Sequence, residues 1–146
     1  MSIKLEKSII GKTTLEITKI GMGGAPLGSL DENTARKTLE KAYESGINYF
    51  DTAPLYGTGN SEKLYGNFLP SLDRNSFVLS SKVGRLILPE EEALKYKSSS
   101  KITPALETNL KASYYKNNVV FNFSREGVLR SIEESLSRLK IDNIDI

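Results

Sequence analysis

The sequence contains no cysteine and no histidine. Without cysteine there is no disulfide, no thiol nucleophile and no cysteine metal site. Without histidine the usual general base near neutral pH and the commonest zinc ligand are missing too, so no metal site is expected. Long apolar runs are also lacking: none approaches the roughly 20 residues that a membrane-spanning helix needs. The opening "MSIKLEKSII" has no apolar core of the signal-peptide kind. A cytoplasmic setting, with no membrane partner, is the expectation. Nor is charge of one sign in excess. The 20 basic and 18 acidic residues leave a net charge of +2, which gives no electrostatic reason to expect a nucleic-acid partner.

What is present is a chain of 146 residues, 38% apolar and 26% charged, the size and composition of one soluble globular domain. "KLEKSIIGKTTLEITKIG" alternates apolar and polar residues around Gly11 and predicts a hairpin over roughly 3–9 and 13–18. A short strand then enters the glycine-rich "GMGGAPLG". "SLDENTARKTLEKAYESG" reads as a helix with Ala35, Leu39, Ala42 and Tyr43 on one face. Either Ser29 with Glu32, or Asp31, caps its start, and Gly46 ends it. "INYFDTA" reads as a strand. Asn60 is then expected to cap a short helix with Leu64, Tyr65 and Phe68 turned inward, and "SFVLSSKVG" is a further strand. A long loop is expected from 84 to 123, with a helical turn in "LPEEEALKYK". It reads either as a surface insertion or as a cover over the site. "SREGVLRSIEESLSRLK" is a helix with an apolar stripe of Leu129, Ile132, Leu136 and Leu139. Its Glu126–Arg130 and Glu134–Arg138 pairs are expected on the exposed side. "IDNIDI" looks like the start of another strand.

Strands alternating with helices imply parallel pairing with right-handed crossovers. "GMGGAPLG" does not have the glycine spacing of a dinucleotide-binding Rossmann turn. The α/β class expected is therefore a (β/α)8 TIM barrel, of which residues 1–146 supply the N-terminal hairpin and about four strands, where a full barrel takes roughly 250 residues.

Three ionisable groups fall at strand ends. Asp51 closes "INYFD", Tyr56 follows in the loop and Lys82 closes "FVLSSK". Parallel neighbours bring their C-terminal ends together, so the three share one rim of the barrel. Taken singly, Asp51 reads more often as a loop cap, Tyr56 as a packed rim aromatic and Lys82 as a solvated charge. Taken together they make sense as acid–base machinery. A lysine ammonium stabilises a phenolate, and a carboxylate keeps the lysine charged and oriented. A tyrosine so placed can give a proton to an alkoxide or take one from a hydroxyl. A hydride carrier must come from a cofactor.

"GINYFDTAPLYGTGNSEKLYGNFL" and "VLSSKVGR" resemble the aldo-keto reductases. "ITKIGMGGAPLG" and "VVFNFSREGVLRSIEESLSRLKIDNIDI" make the chain similar to the branch with D-threo-aldose 1-dehydrogenases and pyridoxal 4-dehydrogenase. The resemblance implies a (β/α)8 barrel closed at its bottom by the hairpin, and NAD or NADP as cofactor. It implies an aldehyde or sugar substrate. Tyr56 would be the acid/base, Lys82 its modulator and Asp51 the partner of Lys82. Gly23, Gly24, Ala25 and Asp51 would lie near the cofactor. In sugar oxidation Tyr56 would take the anomeric hydroxyl proton as hydride leaves C1, giving a lactone. The family's fourth catalytic residue, a histidine after the fourth strand, has no counterpart in this chain. The chain alone is therefore expected to be inactive. The alternative is a non-catalytic half-barrel that pairs with itself or with a separate C-terminal half.

Overall fold

The computed structural model describes residues 4–89, 91–93 and 118–146. It begins with an antiparallel hairpin of β1 (Lys7–Ile9) and β2 (Glu16–Thr18), shorter than the sequence predicts, with Gly11 in the turn at φ +54°. Asn48 docks the hairpin onto the sheet. Its side chain accepts from Thr18 N at 2.7 Å and donates to Glu16 O at 2.9 Å. The hairpin thus sits at the N-terminal end of the strand that Asn48 introduces, opposite the rim where the ionisable groups gather.

The sheet is parallel. β3 (Met22–Gly23) pairs with β4 (Tyr49–Asp51), which pairs with β5 (Val78–Ser80). Residues 144–146 continue it beyond β5: Asp145 N and Ile146 N donate to Leu79 O, and Ser81 N donates to Ile146 O at 3.1 Å. Arg74 and Asp145 pin this fourth position. The Asp145 carboxylate accepts from Arg74 at 2.7 Å and from Leu79 N at 2.8 Å. Three helices cover one face: α1 (Glu32–Glu44), α2 (Asn60–Gly66) and α3 (Arg125–Leu139). The order is the expected half-barrel.

Strand alternation decides which side chains meet the helices. Phe50 and Leu79 point outward and are fully buried with Leu27, Leu39, Tyr65, Phe77 and Leu139. Tyr49, Asp51 and Ser80 occupy the opposite, barrel-lumen face. Each large outward side chain contributes about 1.5–3 kcal/mol of burial.

Asp31, one of the two caps the sequence offers, caps α1, accepting from Thr34 N at 3.0 Å, and Gly46 ends it as expected, at φ +91°. Other helix details differ from the sequence expectation. Gly59, at φ +84°, caps α2; Asn60 instead donates to Gly28 O at 3.0 Å and ties two loops together. In α3 the buried stripe is Gly127, Ser131, Ser135 and Leu139, while Leu129 is exposed. At the C-terminal end of α3 the backbones approach closely: a Cβ on Gly66 of α2 would lie 3.0 Å from Leu139 Cα. Arg130 is held by Glu92 and Glu134 rather than Glu126. Arg138 turns inward to Glu62.

The segment expected as loop from 84 to 123 carries strand at both ends. β6 (Arg85–Leu88) pairs antiparallel with β7 (Asn118–Phe121), forming an arm. Leu86, Leu88 and Val120 on one face bury with Ala93 in a separate small cluster. Of the helical turn expected in "LPEEEALKYK", Glu91–Ala93 are helical; positions 94–117 lie outside the described residues.

Candidate active site

Asp51 ends β4, and Lys82 lies two residues beyond the end of β5. The register places Asp51 opposite Ser80, and the strand period of two then puts Lys82 on the same face as Ser80. Lys82 Nζ donates to Asp51 Oδ1 and Oδ2 at 3.0 Å each and to Thr52 O at 2.9 Å. The same ammonium lies 4.9 Å from the centroid of the Tyr56 ring, within cation–π range. The three sequence-predicted residues are thus one cluster.

Partial burial is the largest single influence on the Lys82 ammonium and pushes its pKa down. Hydrogen bonding and charge from Asp51 and Tyr56 together outweigh it, so the net shift is upward. Lys82 therefore stays a cation beside the phenol at neutral pH.

Two further residues of the cluster escaped sequence reasoning. Ser80 Oγ donates to Asp51 Oδ1 at 2.7 Å and is itself 3.0 Å from Tyr49 Oη. This chain along the lumen face holds the Asp51 carboxylate from below while Lys82 holds it from above. Alternation carried the signal, since Tyr49 shares a face with Asp51, and Ser80 with Lys82.

Tyr56 sits where two glycine loops touch. Gly57 has φ +60°, and a Cβ on Gly28 would lie 2.6 Å from Gly57 N and 2.8 Å from Tyr56 C. Only hydrogen fits there, so the turn Pro26–Ser29 fixes the backbone at Tyr56.

Gly23, Gly24 and Ala25 lie at the end of β3, with Gly23 opposite Asp51 in the register. Gly23 and Ala25 are exposed, and a Cβ on Gly23 would meet nothing within 4 Å. Gly24 is packed. A Cβ there would approach Ser61 Oγ at 2.6 Å and Asp51 O at 2.7 Å, and Gly24 N already donates to Asp51 O. The space over Gly23, beside Asp51, is open.

Behind the cluster lies a buried ion pair. Glu62 of α2 is fully buried, accepts from Arg138 Nε at 2.7 Å and from Ser81 Oγ at 2.9 Å. Ser81 immediately precedes Lys82, and the Arg138 stem covers Gly59 in the loop that follows Tyr56. Tyr65, buried beneath Asp51, donates to Met22 O at 2.9 Å. Burial, then the Asp51 charge, pushes its pKa well up, so it stays a neutral hydrogen-bond donor.

A cleft of about 330 Å³ opens at the cluster, lined by Tyr56 and Lys82 together with Arg85, Phe121 and Phe123 of the arm. Among the described residues, no helix is long and apolar enough to cross a membrane.

The sequence pattern of the Aldo/keto reductase family matches residues 19–146. Pyridoxal 4-dehydrogenase from Microbacterium luteolum is 38% identical over 149 residues, spanning 97% of this chain and 42% of that protein. D-threo-aldose 1-dehydrogenase from a Pseudomonas species is 36% identical, spanning 90% of this chain and 39% of that protein. An aldo-keto reductase from Bacillus halodurans, solved in its holo form, superposes with a TM-score of 0.70 at 27% identity, over 97% of this chain and 38% of that one. The chain thus spans about two fifths of the length of the relatives it matches, and it belongs to the aldo/keto reductase family.

Proposed function

We propose that this member of the aldo/keto reductase family supplies the Asp51–Tyr56–Lys82 side of an NAD(P)-dependent oxidoreductase that interconverts an aldehyde or aldose C1 with its alcohol or lactone. The observation that carries the reading is the bidentate Lys82–Asp51 contact with the ammonium poised over Tyr56. A nicotinamide cofactor, NAD or NADP, would accept or supply the hydride. Gly23, Gly24 and Ala25 would line it, Gly23 and Ala25 with exposed surface and Gly24 by allowing the backbone to close on Asp51. In the oxidative direction the Tyr56 phenolate takes the hydroxyl proton as hydride leaves the carbon. In the reductive direction the Tyr56 hydroxyl gives its proton to the carbonyl oxygen as hydride arrives. Lys82 stabilises the phenolate charge, and Asp51 holds Lys82 in place.

A complete lumen requires more strands than the described residues provide. The sheet order leaves β3 and residues 144–146 as edges, so we propose that further strands pair there, from a second copy or from a separate C-terminal half. The test is reduction of pyridoxal with NADH or NADPH and oxidation of L-fucose with NAD or NADP. It uses this chain alone and this chain mixed with the complementary half of a relative. Negligible turnover by the chain alone, and activity in the mixture that drops about 10²-fold or more in Tyr56→Phe, is the expected outcome. Activity indifferent to Tyr56 would remove the proposal.

A further inference from the structure

Asp51 and Ser80 stand opposite each other on paired strands, with both side chains on the lumen face. Their contact is short: Ser80 Oγ donates to Asp51 Oδ1 at 2.7 Å. Tyr49 Oη lies 3.0 Å from the same Ser80 Oγ. A serine hydroxyl has one proton, and a carboxylate only accepts. Ser80 gives its one proton to Asp51, so Tyr49 is the donor in the other contact. The direction is therefore fixed: Tyr49 donates to Ser80, and Ser80 donates to Asp51.

Between Ser80 and Lys82, the two side chains that donate to Asp51, Ser80 is the rigid one. A carboxylate turns easily about its last torsion, so the rotamer of Asp51 does not set the direction of its oxygens. Lys82 reaches them at the end of a flexible four-carbon stem, with its side chain 48% exposed. Ser80 has a short side chain and is 4% exposed. Its strand β5 is hydrogen-bonded to β4 on one side and to residues 144–146 on the other. Tyr49 is seated closely as well. A Cβ on Gly21 would lie 2.7 Å from Tyr49 Cδ1, so the ring rests against a residue with no side chain to displace it.

We propose that Ser80 is a positioning residue for the reaction. Backed by the Tyr49 hydroxyl, it turns the Asp51 carboxylate so that both oxygens meet the Lys82 ammonium, which then stands over the Tyr56 ring. The inference rests on the catalytic reading of Tyr56. Without the Ser80 hydroxyl the carboxylate is free to rotate, the two-oxygen contact loosens, and the ammonium moves on its stem. Ser80 and Tyr49 do not line the cleft at Tyr56, so their effect passes through Asp51 and Lys82.

The first measurement uses the 146-residue chain alone, labelled with ¹⁵N-lysine. It reads hydrogen exchange of the Lys82 ammonium near neutral pH, the signal being assigned by its loss in Lys82→Met. Ser80→Ala should speed that exchange about tenfold, and Ser80→Thr, which keeps a hydroxyl, should restore the parent rate. Tyr49→Phe should speed it less. Adding Tyr49→Phe to Ser80→Ala should change nothing further, because the donor chain is already cut. Amide exchange in β5 should match the parent in Ser80→Ala, since the strand's backbone bonds do not involve the hydroxyl. β5 amides that exchange faster along with the ammonium would assign the effect to a loosened strand and overturn the proposal. So would an ammonium that keeps the parent rate in Ser80→Ala, or effects of the two substitutions that simply add.

The second measurement adds the complementary half of a relative and follows pyridoxal reduction. Ser80→Ala should lower kcat about tenfold and leave KM unchanged. A raised KM with unchanged kcat would place Ser80 in binding and contradict a positioning role. If Ser80→Ala frees the ammonium while turnover is indifferent to Tyr56, the catalytic reading fails and the link from Ser80 to Lys82 stands. If turnover depends on Tyr56 but the ammonium is indifferent to Ser80, the positioning role alone fails.

Discussion

Lys82 Nζ donates to Asp51 Oδ1, Asp51 Oδ2 and Thr52 O at 2.9–3.0 Å, and hydrogen bonding to Tyr56 adds to these contacts. An ammonium with this many acceptors is held in one geometry beside Tyr56. Its pKa is raised above the ordinary 10.5. The ion pair's contribution to stability is accordingly complete below that ordinary value and fades as pH rises through the higher folded one. In urea unfolding, Lys82→Met should be less stable than the parent near neutrality, and the two should converge as pH rises through the raised folded value of Lys82. A gap that stays constant across this range would mean that the ammonium charge contributes nothing to holding Asp51. The side chain is half exposed, so the gap should be modest.

At the scale of elements, the site depends on helices that never touch it. Glu62 on α2 is buried with no water-facing atom, and Arg138 on α3 supplies its countercharge while Ser81 supplies a hydrogen bond. Removing one partner leaves the other charge buried and unpaired. Arg138→Met should therefore destabilise by about 3 kcal/mol in chemical denaturation, and adding Glu62→Gln should recover part of that loss. Strictly additive losses in the double variant would contradict direct pairing. This pair also shows where sequence reading stops. The Glu134–Arg138 spacing is legible and the two do approach, at 3.8 Å, but a buried carboxylate from another helix competes better for the same guanidinium. The Leu129 position misleads for a related reason. Periodicity reports which residues are apolar, but the face of α3 that turns in carries Gly127, Ser131, Ser135 and Leu139, and Leu129 stays exposed. The strand ends, the Asp31 cap and the grouping of Asp51, Tyr56 and Lys82 were all legible, because each depends on local pattern or on the fixed geometry of parallel neighbours. Ser80 was legible in principle by its alternation with Lys82. The arm was not, since its pairing joins Arg85 to Phe121 across a long segment with no local turn signal to set the register.

At the scale of the molecule, four parallel strand positions carry a polar lumen face and a helix-covered outer face, with edges at β3 and at residues 144–146. Ile20, just ahead of β3, is exposed at 61%. Open edges beside exposed apolar side chains favour association. Sedimentation of the isolated chain should show concentration-dependent self-association that a complementary half-barrel suppresses; a folded monomer indifferent to that half would argue against completion by pairing. The central claim is that a completed lumen uses Tyr56 as the proton donor and acceptor for hydride chemistry. The most direct measurement is single-turnover transfer of deuterium from nicotinamide deuterated at C4 to pyridoxal, by this chain combined with a complementary half. The proposed function predicts deuterium on the product's carbinol carbon with the parent chain and a loss of about 10²-fold or more in rate with Tyr56→Phe. Equal transfer by the parent and by Tyr56→Phe would contradict it.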